Sequence, residues 1–243
     1  MRQKFLQPRY GIDAPGVVRG ALLSGIAAIL AGALVPPFRI VNIDIRFVGP
    51  LLIAVGIACL TLFTSMMAYA LFGKFRVRDR LLGAVSWRGD EQVLDVGTGR
   101  GLLLVGAAKR LTTGHVVGID IWQTRDLSGN GLAAVTANVA REGVADRVAL
   151  RTEDARSMSF ADASFDVVLS LLCLHNIEDV AERERACGEI ARVLKPGGTV
   201  VLGDYATLGK QAAALREAGL HVGEQRSLVR VALGPMWMVT ANK

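Results

Sequence analysis

The stretch Val93-Leu94-Asp95-Val96-Gly97-Thr98-Gly99-Arg100-Gly101 decides the fold of this chain. A short apolar run carries an acid near its end, breaks into glycines at alternate positions, and leads into an apolar segment compatible with a helix. Glycines so placed let the backbone turn sharply and approach a ligand where a Cβ would collide. A second apolar strand, Val116 to Ile119, is followed by another acid, Asp120. Two carboxylates beside a glycine turn suit a nucleoside cofactor bearing positive charge rather than phosphate. Spacing excludes the neighbouring motifs. A dinucleotide fingerprint would need glycine where Leu102 stands, and a phosphate-cradling loop would need the missing Gly-Lys-Ser/Thr ending.

Outward from this turn, residues 77–243 alternate strand-like and helix-like segments in the doubly wound α/β manner. Strands are expected at Gln92–Val96, His115–Ile119, Arg147–Thr152, Phe165–Leu171 and Thr199–Asp204. The fourth is continuously apolar, as suits a strand covered on both faces. Helices are expected at Arg78–Val85, Arg100–Leu111, Gly131–Glu142, Asp179–Leu194 and Leu208–Ala218. Two more strands fall near His221–Val231 and Met236–Ala241. The Lys195-Pro196-Gly197-Gly198 run reads as a structural turn, with glycine capping a helix and proline stopping it.

The run Asp-x-Gly-x-Gly-x-Gly, together with Asp120, Asp154 and the Arg192–Gly198 turn, resembles the motifs of class I S-adenosylmethionine-dependent methyltransferases. The resemblance covers about Arg80 to Lys243. It implies a Rossmann-like, seven-stranded methyltransferase sheet and S-adenosylmethionine as cofactor. It also implies that Asp95, Gly97, Thr98, Gly99 and Gly101 hold the methionine and ribose portions. Asp120, with Ile121 beside it, would take the ribose hydroxyls, because one carboxylate can accept two such bonds. Asp154 and Ala155 would meet the adenine, and Ser170 would line the methionine end. Trp122 has two readings, a cover for adenine or a side chain packed on the sheet. Asn130 reads as a helix cap, in a Leu127–Gly131 loop over the cofactor mouth.

Methyl transfer from a sulfonium is an in-line displacement, so the protein mainly aligns the partners and excludes water. A base is needed only where the nucleophile must lose a proton. His175, in Leu171-Leu172-Cys173-Leu174-His175-Asn176-Ile177, is the base candidate, since an ordinary histidine titrates near neutrality. The competing role is ordering the loop or touching the cofactor. Asn176 and Tyr205 are further pocket candidates. Quinone C-methyltransferases resemble the domain in this loop, but the Leu-His-Asn version departs from theirs and leaves the acceptor open.

The chain has 243 residues and a net charge of +6. Its mean hydropathy of +0.38 is high for a soluble enzyme, and the excess is local. Neither Gly20–Phe38 nor Phe47–Gly73 contains a charge, and each is long enough to cross a hydrocarbon core of about 20 helical residues. A cleaved signal peptide suits the first run less well, since it is long and a second span follows. We therefore expect residues 1–76 to form a membrane anchor, with transmembrane helices at about 18–38 and 48–72. Gly20, Ser24, Ala28 and Gly32 form a small-residue stripe for close packing, either on the second helix or in a homo-oligomer.

Arg2, Lys4, Arg9 and Arg19 precede the first span, and Lys74, Arg76, Arg78 and Arg80 follow the second. The connection holds only Arg39 and Arg46, with Asp44 between them. Basic residues favour the cytoplasmic side, which places both termini and the catalytic domain there, in a multi-pass protein of the cell membrane. The juxtamembrane charge accounts for much of the basic balance, and no nucleic-acid motif accompanies it. Cys173 and Cys187 are not spaced as a metal site, and no metal is expected. With the hairpin in place of extra N-terminal helices, the expected acceptor is hydrophobic or membrane-resident: a lipid, a quinone or a small metabolite. A non-catalytic, membrane-anchored sensor of the cofactor is the competing class.

Overall fold

The computed structural model describes residues 9–40, 43–205 and 208–243. Arg2 and Lys4 of the expected basic flank lie outside the described residues. Helix α1, Pro15–Leu34, starts with proline at its first position, where the missing N–H costs nothing. It ends just before Pro36 and Pro37. Strands β1 (Phe38–Ile40) and β2 (Ile43–Ile45) pair antiparallel, making a small hairpin of the connection that the sequence left as a short link. Helix α2, Val48–Ala68, then returns along α1.

The α1–α2 contact is built on glycines seven residues apart on each helix. A Cβ on Gly32 would lie 2.6 Å from the Gly49 carbonyl oxygen, and one on Gly56 would lie 2.8 Å from that of Gly25. The register is therefore Gly25 against Gly56 and Gly32 against Gly49. This corrects the expected stripe: Gly32 takes part, but Gly20 and Ser24 face outward. A seven-residue spacing keeps the same helix face turned to its neighbour, whereas a four-residue one drifts round the helix.

The second apolar helix does not end where the sequence suggested. A π-helical turn, Tyr69–Gly73, joins α2 to α3 (Lys74–Leu82), giving one helical run of 35 residues, Val48–Leu82. Its far end enters the α/β domain, where Val77, Leu81 and Leu82 are fully buried. The Ser65 hydroxyl also donates to the Leu233 carbonyl, 2.5 Å away. Two helices, Pro15–Leu34 and Val48–Leu82, are thus long and apolar enough to cross a membrane.

The α/β domain follows the expected alternation. Strand β3 is Gln92–Val96, and helix α4, Leu102–Ala108, is shorter than expected because Gly101 begins it. Then come β4 (His115–Asp120), α5 (Leu132–Arg141), β5 (Val148–Thr152) and β6 (Phe165–Leu171). Helix α6, Val180–Val193, is capped by Asp179, whose side chain accepts from the Glu182 N–H at 2.9 Å. Strand β7 (Leu194–Asp204) and helix α7 (Leu208–Glu217) complete the parallel part. Within β7, Phe165 pairs with Leu194 but Val167 pairs with Thr199, so Lys195–Gly198 bulges out of the ladder. The expected turn is therefore an excursion inside a strand.

The sheet order is β5-β4-β3-β6-β7, then β10 (Trp237–Asn242) and β8 (His221–Val222), with β9 (Arg226–Ser227) also on β10. The first five strands are parallel, and β10 (Trp237–Asn242) runs antiparallel to β7. This gives eight strands where seven were expected. The expected strand near His221–Val231 is two short pieces, β8 (His221–Val222) and β9 (Arg226–Ser227), followed by a one-turn helix α8, Val229–Ala232. Gly223 and the polar pair Glu224-Gln225 interrupt it, offering no side chain to pack on the sheet. Helices α3–α5 cover one face of the sheet and α6–α7 the other, each over its own apolar core. The order reverses beside β3, so the carboxyl ends of β3, β4 and β6 border the crevice where ligands bind in such sheets.

Candidate functional site

A cleft of about 400 Å³ opens at those carboxyl ends. Its floor is the glycine turn, with Gly97, Gly99 and Gly101 at φ of 71°, 54° and 85°. All three are in the left-handed region, which costs other residues roughly 1–2 kcal/mol each. Space is restricted as well as dihedral angle: a Cβ on Gly97 would sit 2.3 Å from the Cys173 Sγ. The Gly97 and Thr98 N–H groups donate to the Ile119 carbonyl, fastening the turn to β4.

Asp95 is buried beneath the turn. Its Oδ2 accepts from the Thr98 hydroxyl at 2.7 Å and the Leu104 N–H at 3.0 Å. Burial pushes its pKa up to about 7, although both hydrogen bonds pull the other way. A buried carboxyl so poised is stabilised as the anion by a cation brought against it. Asp120 holds the edge of the cleft. Its Oδ2 accepts from the Gly99 N–H at 2.8 Å, and its Oδ1 from the Trp122 N–H at 2.6 Å and Asn130 Nδ2 at 3.3 Å. Asn130 is therefore not the helix cap, a place taken by Gly131; it orients Asp120. Asn130 Oδ1 is buried and has no hydrogen-bond partner among the described residues, an acceptor left over beside the cleft. Trp122 packs on the core, its indole N–H donating to the Thr152 hydroxyl at 2.8 Å.

Gly97, Thr98, Gly99, Asp120, Ile121, Asp154 and Ala155 all line the cleft, as does Asp95. Asp154 is more committed than the sequence implied. Arg156 Nε bonds both of its oxygens at 2.9 and 3.0 Å, and this pairing holds the carboxyl below its usual range. Gly101 and Ser170 support the cleft without lining it. Gly101 starts α4, and the buried Ser170 hydroxyl donates to the Val96 carbonyl at 3.0 Å, tying β6 to β3.

The roof comes from residues assigned in sequence to the membrane anchor. Ile12 N–H donates to the Ser128 hydroxyl, Ser128 N–H to the Ile12 carbonyl, and Ala14 N–H to the Asp126 carbonyl. These bonds stitch a juxtamembrane strap, residues 10–14, to the loop over Gly99. Lys74, buried at the start of α3, clamps the strap. Its Nζ donates to the Tyr10 and Gly11 carbonyls at 3.2 and 2.8 Å and pairs with Asp13 at 3.0 Å. Tyr10, Asp13 and Lys74 line the cleft and were missed as site residues. One signal was present: Asp13 is the only acid before Asp44, alone in a basic flank. Replacing Lys74 with methionine leaves the half-buried Asp13 without its cation and the Tyr10 and Gly11 carbonyls without their donor, at a cost of about 1–3 kcal/mol. We expect the strap to open, seen as faster proteolysis near Arg9 and at least a tenfold rise in the Kd for S-adenosylmethionine.

His175 lies outside this cleft. It lines a second cavity of about 360 Å³ with Asp13, Ala14, Gly16, Val17, Arg125, Asp126, Leu172, Asn176 and Tyr205. Asp13, Arg125, Asp126, Leu172 and Asn176 border both spaces, so the two abut. His175 Nδ1 is 2.6 Å from Asp204 Oδ1, in a carboxylate that is itself buried. Asp204 also accepts from the Tyr205 N–H at 2.8 Å. Since a carboxylate only accepts, Nδ1 donates, and in the neutral ring Nε2 carries the free lone pair.

The fold and cleft define a Rossmann-like methyltransferase architecture. Residues 94–202 match the methyltransferase domain family. The 27-O-demethylrifamycin SV methyltransferase of Amycolatopsis mediterranei is 35% identical over 156 residues, 60% of this chain and 53% of that protein. The phosphatidylethanolamine N-methyltransferase of Cereibacter sphaeroides is 34% identical over 143 residues, 59% of this chain and 64% of that one. The chain thus spans about half to two thirds of the length of these relatives. A crystal structure of an S-adenosylmethionine-dependent methyltransferase from Aquifex aeolicus superposes with a TM-score of 0.56 at 19% identity, covering 68% of this chain and 88% of that one. The α/β domain has the fold of S-adenosylmethionine-dependent methyltransferases and, over residues 94–202, the sequence pattern of a methyltransferase domain, which implies that cofactor. Its residues fit that cofactor: Asp95 lines the cleft as a buried carboxyl whose anion a cationic group would stabilise, and the Asn130 Oδ1 acceptor lies beside it.

Proposed function

We propose that this protein transfers a methyl group from S-adenosylmethionine to a hydrophobic acceptor resident in the membrane, at its cytoplasmic face. The observation that carries this reading is the origin of the roof. The strap just before α1, Tyr69 in the π-helical turn after α2 and Lys74 at the start of α3 all wall the cleft. Both ends of the apolar hairpin therefore meet the catalytic domain on one side, as the basic residues flanking them suggest. The anchor and the catalytic domain then share residues 10–14 and 69–76 instead of dividing at 76. The acceptor class, a lipid, quinone or small apolar metabolite, is supported by the phospholipid named for the Cereibacter sphaeroides relative.

When bound, the cofactor supplies an electrophilic methyl on a sulfonium. Asp95 would take its amino group and Asp120, oriented by Asn130, the ribose hydroxyls. Asp154 and Ala155 would meet the adenine. The glycine turn brings backbone within reach of the ligand, and the Tyr10–Ala14 strap excludes water. His175 is placed to remove a proton from the acceptor. The test is incubation of the full chain in detergent with methyl-labelled cofactor and either a membrane lipid extract or a water-soluble extract. Label should enter the lipid extract and fall at least 100-fold with Asp120→Ala. Label confined to the water-soluble extract refutes the acceptor class, and cofactor binding without any transfer favours a sensor.

A further inference from the structure

We propose that the second cavity, at the foot of α1, is the acceptor subsite, and that it takes a phenolic or enolic hydroxyl on an apolar molecule. This rests on the methyltransferase reading above and adds the reacting group and its place. One wall is the first turn of α1, where Gly16 and Val17 are exposed; beyond the exposed Arg19 the same helix presents Leu23, Ile26 and Leu30. Leu172 and Tyr205 also line it, and the Tyr205 ring meets the His175 ring edge-on with centroids 5.5 Å apart. An apolar body lying along α1 would enter with its polar end toward His175.

The chemistry of that end follows from the charges. Asp13 and Asp126 border the cavity, but Lys74 lies 3.0 Å from the first and Arg125 3.5 Å from the second. These balanced pairs leave little to select an ammonium. The Asp204–His175 pair orients the imidazole instead, so that in the neutral ring the Nε2 lone pair can accept an O–H hydrogen bond. A phenolic proton, with a pKa of about 10, is within reach of an imidazole base in the transition state. As the acceptor oxygen forms its bond to the methyl carbon, the carbon–sulfur bond breaks and its electron pair stays on the sulfur, giving a neutral thioether. The O–H proton passes to His175 Nε2, and the imidazolium later releases it to water.

The test uses the full chain in phosphatidylglycerol vesicles with 4-dodecylphenol and dodecylamine as probes. Binding of each is read by tryptophan fluorescence without cofactor, and transfer with methyl-labelled cofactor. The phenol should bind and be methylated on oxygen, while the amine is methylated at least tenfold more slowly. Val17→Trp, which fills the cavity mouth from an exposed helix position, should weaken phenol binding at least tenfold and leave the Kd for S-adenosylmethionine unchanged. His175→Gln and Asp204→Asn should each lower kcat about 10²–10⁴-fold with phenol binding retained. Preferential methylation of the amine, unchanged phenol binding in Val17→Trp, or full activity in His175→Gln would overturn the subsite. Failure of the wild-type chain to label any component of a membrane lipid extract would instead overturn the methyltransferase reading beneath it.

Discussion

Asp95→Asn should weaken cofactor binding roughly 30- to 150-fold while making the cofactor-free protein more stable. In the folded chain burial raises the Asp95 pKa to about 7 from an ordinary 3.8. Between those values the unfolded chain has released this proton and the folded chain has kept it. Stability therefore falls as pH rises through that window, and above it the buried charge costs at most about 4 kcal/mol. Asparagine never ionises, and its side-chain oxygen can still accept from Thr98 and Leu104. The melting temperature at pH 8 should rise, by roughly 5–10 °C. Cofactor binding runs the other way. A cation against Asp95 needs the anion, so wild-type affinity should weaken about tenfold per pH unit below 7 and level off above it. Losing one charged hydrogen bond removes about 2–3 kcal/mol, roughly 30- to 150-fold in Kd. The variant should also lose this dependence on pH. Calorimetric titration from pH 5.5 to 8.5 checks both; a variant as unstable as it is inactive would refute the account.

Gly97→Ala should inactivate the enzyme by a route that can be partly reversed. The new methyl would lie 2.3 Å from Cys173 Sγ and 2.4 Å from its Cβ, and φ at this residue is 71°. The left-handed angle costs about 1–2 kcal/mol, and overpacking typically adds about 1–3 kcal/mol. Relief by moving Cys173 would displace the loop that carries His175, so activity should fall at least 100-fold. Cys173→Gly in the same chain removes the colliding atoms and leaves only the dihedral cost. The double variant should regain at least tenfold in kcat/KM over Gly97→Ala, although Cys173→Gly alone is slightly harmful. A simple sum of the two losses would show that the collision is not the cause.

Much of this arrangement was legible in the chain. The glycine turn, the acid after β4 and the apolar run of β6 are local patterns, and each fell at a strand end as read. The helix-cap reading of Asn130 was wrong, and the hydroxyl contact of Ser170 was not foreseen, because one residue can stand close to a cleft yet turn its side chain elsewhere. Ser170 spends its hydroxyl on β3, and Asn130 spends its amide on Asp120. The roof was hidden for another reason. Lys74 meets Gly11 across 63 positions, and its charge already had an explanation at the membrane surface. The hairpin register was missed because alanine-rich helices offer several small-residue stripes, and only the partner helix selects one.

The uninterrupted helix Val48–Leu82 has a mechanical consequence. At about 1.5 Å per residue its 35 residues form a rod of about 50 Å, of which a bilayer core would occupy about 30 Å. No flexible tether separates the buried end from the sheet. If the hairpin crosses the bilayer as proposed, the catalytic domain cannot bob or swivel, and the methyl donor is held at a set height above the lipid. Substrates would then be sorted by depth, according to how far the reacting group stands out from its apolar body. The protein would act as a fixed gauge as much as a catalyst.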